Sequence, residues 1–436
     1  MVRHRALKVV ATGVVATLVA AFVVVGERVR QLEANMQVID ITTLIGNQER
    51  PAKRAPTAEA EPLDPFGGNP VNILITAIDT RSGANADVVR DSMDSLLNDV
   101  NMVAHISADR SRVDIVSLPR DALVNLPACT TPNGWISPPE YDVMLNSAFV
   151  KGAGGWDPDA KAEGIACIFA SVEAITGILL DAFILVDFSG FASVVDALDG
   201  VDICVPQGLV AQKTRLELTP GMHHLDGATA LQFARTREGK TYDGQWLDGT
   251  DIMRINRQQQ LVATVINEIL AAGDLKSLPK LNATATAITS SLYVSPELGS
   301  VGALAGLAFA LRNIKMDHVS LFTPPFAYEG QRVRLTDWGQ SDKFGGLGAS
   351  ELFELFALDQ PIPGTVPYKL VHGEAPEVTD QPSTTPASPD PADPTAPADP
   401  ANPDPPTSAT PAADDDFVTA ANAPVTCEVV GQGDTG

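Results

Sequence analysis

Residues 71–81 read Val-Asn-Ile-Leu-Ile-Thr-Ala-Ile-Asp-Thr-Arg, and the stretch Val71–Ile78 decides the class of fold. This run is almost wholly apolar, rich in β-branched residues and too short for a buried helix, so it predicts a strand buried on both faces. Two strands, Met102–Ser107 and Arg112–Leu118, are predicted to follow as a hairpin around the turn at residues 108–111. Further along, strands alternate with helices, which predicts an α/β domain with a central mixed sheet and flanking helices. The further predicted strands are Ala182–Val186 and Val201–Val205, and the predicted helices are Asp159–Thr176, a short one ending near Leu198, Leu225–Ala234, Arg257–Ala271 and Val301–Leu311.

The amino end carries an uncharged apolar run at residues 9–26, which is preceded by three basic residues. About 18 to 21 helical residues match a hydrocarbon layer, and the basic flank favours a cytoplasmic N-terminus. We therefore expect a cytoplasmic stub at residues 1–8, a transmembrane signal anchor at 9–26 and a single-pass protein of the cell membrane whose remainder is extracellular. The alternative is a cleaved signal peptide, which would export the same remainder.

Composition divides the exported part of the chain. Residues 27–68 are polar with several prolines and are interpreted as a stalk, and the globular domain is predicted at 69–370. Residues 371–416 are dominated by proline, alanine, threonine and aspartate, which predicts a disordered linker, and a short tail follows at 417–436. The formal net charge is −24, which argues against a nucleic-acid partner.

Charged side chains are predicted to collect where strands end and helices begin. Open α/β sheets bind ligands at such ends. Carboxylates suit a hard cation, and arginine forks bind phosphate oxygens. The pattern therefore predicts a phosphate site with a divalent cation. Its candidate residues are Asp79, Arg81, Asp91, Arg120, Arg235, Arg237, Arg254, Arg257 and Gln258.

The order of these motifs resembles the LytR-CpsA-Psr family of membrane-anchored cell-wall ligases. The resemblance spans about residues 70–325, and its most specific parts are His-Leu-Asp-Gly-Ala-Thr-Ala-Leu-Gln-Phe-Ala-Arg-Thr-Arg at 224–237 and Arg-Ile-Asn-Arg-Gln-Gln at 254–259. It implies an α/β/α domain that transfers a glycan phosphate from a polyprenyl-pyrophosphate carrier to the 6-hydroxyl of N-acetylmuramic acid in peptidoglycan.

The resemblance also implies roles for single residues. Asp79 and Asp91 would be catalytic and would bind Mg²⁺, or Mn²⁺ in its place. Arg120 and Arg235 would be both catalytic and pyrophosphate-binding. The remaining pyrophosphate-binding positions would be Arg81, Arg237, Arg254, Arg257 and Gln258, and Asn146 matches a position that lines the site.

The four cysteines allow three pairings from sequence alone. The resemblance extends to the actinobacterial branch of the family, and it implies the pairs Cys129–Cys167 and Cys204–Cys427.

Three positions depart from the family pattern, and the first is Ala77, which stands where the family often has a glycine. Val89 and Met144 stand where the family commonly has an arginine and a lysine, and Lys151 is a candidate substitute cation. These departures keep two alternatives open beside the transferase. One is a polyprenyl-pyrophosphate phosphatase, and the other is a catalytically weak surface protein that binds carrier lipid or wall glycan.

Overall fold

The computed structural model of the chain describes residues 26–45, 50–52, 64–78, 97–155, 157, 159–247, 251–271, 278–337, 344–363, 371–372 and 426–427. Its strands are β1 (Gln37–Val38), β2 (Val71–Ile78), β3 (Asn98–Ile106), β4 (Val113–Ser117), β5 (Leu123–Leu126), β6 (Cys129–Thr130), β7 (Ile136–Ser137), β8 (Glu140–Met144), β9 (Ala182–Asp187), β10 (Val201–Val205), β11 (Leu209–Ala211), β12 (Leu216–Leu218), β13 (Gly221–Leu225), β14 (Leu292–Val294), β15 (Val319–Phe322), β16 (Phe326–Glu329), β17 (Arg332–Leu335), β18 (Val371–His372) and β19 (Thr426–Cys427). Its helices are α1 (residues 26–35), α2 (Thr42–Ile45), α3 (Ala148–Gly152), α4 (Lys161–Thr176), α5 (Phe188–Ala197), α6 (Gly227–Arg235), α7 (Asp251–Ala271), α8 (Leu278–Ser291), α9 (Val301–Ala310) and α10 (Ala349–Ala357).

A mixed sheet of seven strands lies at the centre, in the order β1-β14-β9-β2-β3-β4-β15. β2 pairs parallel with β9 and antiparallel with β3, so it lies in the interior of the sheet. Its alternate residues face opposite layers. Leu74 and Ile78 pack with Phe169 of α4 and Phe353 of α10, whereas Ile73 packs with residues on the α9 side. The α7 helix covers the second face further along, where Ala263 packs against Met102 and Ile115. This arrangement confirms the predicted α/β/α layers and the predicted doubly buried strand.

Capping side chains fix the first turns of α5 and α6. Asp187 caps the start of α5 by accepting a hydrogen bond from the backbone N–H of Gly190 at 2.8 Å. Asp226 does the same for α6 through Thr229 at 2.8 Å. Hydrogen bonds from Thr229 lower the pKa of Asp226, so its negative charge faces the positive end of the helix dipole.

The predicted elements differ from the observed ones mainly at their boundaries. β3 begins at Asn98, four residues before the predicted start at Met102. The reason is that Asn98, Asp99 and Asn101 have low strand propensity, and only pairing with β2 places them in the sheet. Leu225 ends β13, so α6 begins at Gly227 and not at the predicted Leu225.

Part of the segment interpreted as a stalk packs into the domain. β1 forms the edge of the central sheet beside β14, and Ile41 and Ile45 are buried in the main core. The predicted signal anchor, apart from Gly26, lies outside the described residues. Among those that the structure describes, no helix combines the length and apolar character that a bilayer span requires.

The structure contains the predicted Cys129–Cys167 disulfide, which joins β6 to α4. Cys204 is also disulfide-bonded, and β19, the strand that holds Cys427, contacts β10. The predicted pairing of Cys204 with Cys427 is compatible with this placement and stays a prediction.

Candidate active site

Four segments of the central sheet reach the same edge. Ile78, the last residue of β2, is paired with Asn98 at the start of β3 and with Asp187 at the end of β9. β4 runs parallel to β2 and leads within three residues to Arg120. The side chains that follow these strands therefore share one end of the sheet, as the sequence predicted for this class of fold.

A β-bulge places a carboxylate at this edge. Ala77 pairs with Val100 and Ile78 pairs with Asn98, so Asp99 is an extra residue in β3. Bulges redirect a side chain away from the regular alternation of a strand. The carboxylate of Asp99 is 16% exposed and contacts the guanidinium groups of two arginines that lie far apart in the sequence.

Arg120 donates from Nη1 to Oδ1 of Asp99, and Nη1 of Arg254 lies 3.7 Å from Oδ2 of the same carboxylate. The side chain of Arg254 is only 3% exposed. The carboxylate of Asp99 thus contacts two guanidinium groups that come from different elements. Removing arginine from water is costly unless an anion is near, so Asp99 helps to hold both cations in place. Arginines that converge on one place are able to bind phosphate oxygens.

Arg235, the last residue of α6, lies at the same edge by a different contact. Its guanidinium carbon is 4.7 Å from the ring centroid of Phe188, which follows β9 directly. An arginine that stacks on an aromatic face is held in a fixed plane. This contact helps to orient Arg235.

Arg257 and Gln258 donate hydrogen bonds to the backbone at the end of α6 and just after it. Arg257 donates from Nε to the carbonyl oxygen of Thr236 at 3.0 Å and from Nη2 to the same oxygen, and Gln258 donates to the carbonyl oxygen of Ala234 at 3.5 Å. These bonds fix the backbone that presents Arg235 and Arg237. The structure thus gives both predicted pyrophosphate-binding residues a positioning contact with that loop.

Asn146 adds a buried polar atom beside Arg120. Its backbone N–H donates to the carbonyl oxygen of Arg120 at 2.8 Å. Its side-chain Oδ1 is buried and accepts no hydrogen bond from any described residue. Lys151, the candidate substitute cation, is instead bound to Glu140 at 3.0 Å and to the carbonyl oxygen of Pro138. Its charge is therefore already paired.

Three predicted site residues, Asp79, Arg81 and Asp91, lie outside the described residues. Within the described part of the chain, no cluster of three histidine, cysteine, aspartate or glutamate residues could hold a metal ion. A carboxylate that the described part places beside the predicted arginines is that of Asp99, which was not predicted as a site residue. A signal was present, because Asp99 lies just before the predicted strand Met102–Ser107.

The described residues form an α/β/α protein with several arginines at one end of a mixed sheet. Residues 41–334 match the LytR_cpsA_psr family. The chain belongs to the LytR_cpsA_psr family, as the motif order had indicated.

Named relatives fit this assignment. The cell wall biosynthesis protein LcpA of Corynebacterium glutamicum is 25% identical over 269 residues, which cover 58% of this chain and 49% of LcpA. The polyisoprenyl-teichoic acid–peptidoglycan teichoic acid transferase TagT of Bacillus subtilis is 27% identical over 223 residues, which cover 50% of this chain and 57% of TagT. The matched part thus spans about half the length of these curated relatives. A solved structure, the LytR-Csp2A-Psr enzyme from Actinomyces oris, aligns with 71% of this chain and 97% of its own at 19% identity and a TM-score of 0.45.

Proposed function

We propose that this protein is a membrane-anchored phosphotransferase that moves a glycan phosphate from a polyprenyl-pyrophosphate carrier to the 6-hydroxyl of N-acetylmuramic acid in peptidoglycan. The single observation that carries the proposal is the group formed by Asp99, Arg120 and Arg254 at the sheet edge. Two guanidinium forks that converge on one place suit a pyrophosphate. The relative TagT is named as a teichoic acid transferase, which supports the same class of reaction.

In the proposed reaction, the muramic hydroxyl oxygen attacks the phosphorus that bears the glycan. A new phosphoester bond forms, the anhydride bond breaks, and polyprenyl phosphate leaves with the electron pair. The hydroxyl proton passes to a carboxylate at the site. Arg120 and Arg254 bind phosphate oxygens and hold them in line, and Arg235 adds charge from the other side of the edge.

Mg²⁺ is part of the proposal, with Mn²⁺ as a substitute. When bound, the cation would neutralise charge on the pyrophosphate. Asp79 and Asp91 are its predicted ligands, and we add Asp99 as a candidate because its carboxylate lies among the phosphate-binding arginines. Carboxylate oxygens are the ligands that such a hard cation prefers. The buried Oδ1 of Asn146 offers a further oxygen or an acceptor for a bound hydroxyl.

The localisation belongs to the same proposal. The apolar run at residues 9–26 would hold the catalytic domain at the outer face of the cell membrane, with the N-terminus in the cytoplasm. The carrier is itself a membrane lipid, so anchoring would keep enzyme and donor at the same surface.

The test is incubation of the purified chain with a polyprenyl-pyrophosphate glycan and uncrosslinked peptidoglycan strands, with Mg²⁺ or with a chelator. We expect glycan phosphate to appear on the strands only with Mg²⁺. Release of free phosphorylated glycan in the absence of acceptor would instead identify a phosphatase. Binding of donor or strands with neither product would identify the catalytically weak surface protein.

A further inference from the structure

Residues 239–247 form a hairpin, here called the Trp246 hairpin, whose position and composition the proposed reaction does not explain. It follows Arg235 and Arg237 and precedes α7, so it is inserted between two groups of site residues. Trp246 is 76% exposed and Tyr242 is 49% exposed. Large aromatic side chains left in water at one place on a surface commonly mark an interaction site.

The Trp246 hairpin is well ordered by its own hydrogen bonds. Lys240 and Trp246 form a β-bridge, and the N–H of Thr241 donates to the carbonyl oxygen of Gln245 at 2.8 Å. Lys240 also exchanges two backbone hydrogen bonds with Val210, so the hairpin extends the small sheet of β11 and β12. Gly239 is needed for this docking, since a Cβ there would lie 2.8 Å from the carbonyl oxygen of Val210. A fixed backbone lowers the entropy that a ligand would otherwise cost on binding.

One face of the Trp246 ring is already occupied. The ammonium of Lys240 lies 4.3 Å from the ring centroid. A cation covers only one face of an aromatic ring. Trp246 is still 76% exposed, so the contact with Lys240 orients the ring and leaves a flat apolar surface in water. Gln245 and Asp243 bind each other at 3.2 Å in the turn of the same hairpin. A flat exposed ring of this kind matches a ligand with a flat apolar face, such as a pyranose ring.

The base of the hairpin is tied to the candidate active site. Arg257 of α7 binds the carbonyl oxygen of Thr236, three residues before Gly239. The residue after Thr236 is Arg237, one of the predicted pyrophosphate-binding groups. A molecule held on Trp246 would therefore lie next to the loop that presents those arginines.

Charge selects among the molecules that the reaction brings together. Residues 239–247 carry one basic and one acidic side chain, Lys240 and Asp243, so the hairpin has no net charge, and the neighbouring Glu238 is paired with Lys213. Hydrogen bonds from Lys213 and Thr241 lower the pKa values of Glu238 and Asp243 respectively, so both carboxyls are ionised at neutral pH. The hairpin therefore offers no excess positive charge to an anionic lipid surface or to the pyrophosphate donor. A sugar chain needs none.

We propose that the Trp246 hairpin binds the glycan chain of the peptidoglycan acceptor, with a pyranose ring stacked on the open face of Trp246. The proposal rests on the proposed function for the identity of the acceptor. The apolar C–H face of the sugar would cover the ring. The hairpin would thereby bring a muramic hydroxyl to the sheet edge while the donor occupies the arginines.

The experiment measures binding of uncrosslinked peptidoglycan strands to the full chain by titration calorimetry, with no donor and no transfer step. Trp246→Ala should weaken binding by about fivefold or more, and Trp246→Phe should keep most of it. The matched control is Trp135→Ala, which removes another exposed tryptophan, from the segment between β6 and β7. Circular dichroism checks that each variant is folded.

Equal binding by the wild type and Trp246→Ala would overturn the inference, as would a wild type that does not bind the strands. Binding of anionic phospholipid vesicles that depends on Trp246 would assign the hairpin to the membrane instead and would also overturn it. Because transfer is measured separately, strands that bind through Trp246 without being modified would count against the proposed function alone.

Discussion

At the scale of single residues, Asp99 holds the candidate active site together. Its two carboxylate oxygens contact one arginine each, Arg120 from the loop after β4 and Arg254 from α7. Neither arginine would keep its position unchanged if that anion were lost, because two guanidinium charges would then face each other in a partly buried place. Asp99 is therefore a test of the whole arrangement.

We predict that Asp99→Asn lowers the rate of glycan-phosphate transfer by about 100-fold, since both the orientation of the arginines and one potential cation ligand are lost. The measurement is the transfer assay over a range of Mg²⁺ concentrations. Asp317→Asn removes an exposed carboxylate outside the site and is the control. Asp91→Asn run in parallel shows which of the two carboxylates the cation requires. Full activity of Asp99→Asn would contradict the proposed site.

The residue scale also shows what a sequence can and cannot reveal. Arg120, Arg235 and Arg254 were predicted because strand ends and helix termini can be recognised from local patterns. Asp99 was not, because its role depends on a bulge, and a bulge depends on the register between β2 and β3. Arg257 and Gln258 were predicted as ligand-binding residues, and their contacts with backbone carbonyls became visible only once α6 and α7 were packed together.

At the scale of elements, α4 depends on a glycine that lets a neighbouring ring approach. A Cβ at Gly164 would lie 2.6 Å from the Phe149 ring of α3. Gly302 in α9 is also helical, but the nearest atom to its Cβ would be Oγ of Ser300 at 3.8 Å. The two positions form a matched pair.

We predict that Gly164→Ala lowers the free energy of unfolding by about 1–3 kcal/mol through overpacking. Gly302→Ala should raise it by about 0.5–1 kcal/mol through helix propensity. Urea unfolding measures both, and a Gly164→Ala variant as stable as Gly302→Ala would refute the packing described.

The Cys129–Cys167 disulfide also holds α4 in place by joining it to β6. It closes a separation of 38 residues between β6 and α4. A cross-link of that span removes denatured-state entropy equivalent to about 4 kcal/mol in the chain-entropy account. We predict that replacing both cysteines by serine lowers the free energy of unfolding by an amount of that order. Denaturant unfolding of the variant beside the wild type measures it, and a loss below about 1 kcal/mol would show that the folded loop is held by packing alone.

At the scale of the whole molecule, the two ends of the central sheet differ in their contacts. One end carries the arginines of the candidate active site. At the other end, ion pairs fasten segments from both sides of the domain. Arg110 in the β3–β4 turn binds Asp64 at 2.6 Å, and Arg50 binds Glu173 of α4 at 2.7 Å. The chain is thus anchored at the end of the sheet away from the site.

Asp359, which follows α10, adds further polar contacts at this end of the sheet. Its carboxylate accepts hydrogen bonds from the buried ring of His105 at 2.9 Å, from the backbone N–H of Ala108 at 3.1 Å and from Arg112 at 3.1 Å. Burial acts to raise the pKa of Asp359, but the bonds from His105 and Ala108 and the charge of Arg112 outweigh it, and the pKa falls below its ordinary value of 3.8. A lowered pKa means that the folded state binds the proton less readily than the unfolded state. The stabilisation is complete above pH 3.8 and is lost as the pH falls through the folded-state value.

We therefore predict that Asp359→Asn costs about 1–2 kcal/mol of unfolding free energy at pH 7 and that its difference from the wild type shrinks steadily below pH 4. Asparagine tolerates the left-handed backbone at this position, where φ is 53°, so the change tests the charge and not the turn. Urea unfolding at pH 7, 5 and 3 gives the comparison, with Asp317→Asn as the exposed control. A difference that stayed constant down to pH 3 would mean that the carboxylate of Asp359 does not fasten α10 to β3. Because the arginine edge lies at the other end of the sheet, transfer activity at pH 7 should be nearly unchanged in Asp359→Asn, which would separate the stability of the domain from the chemistry of its site.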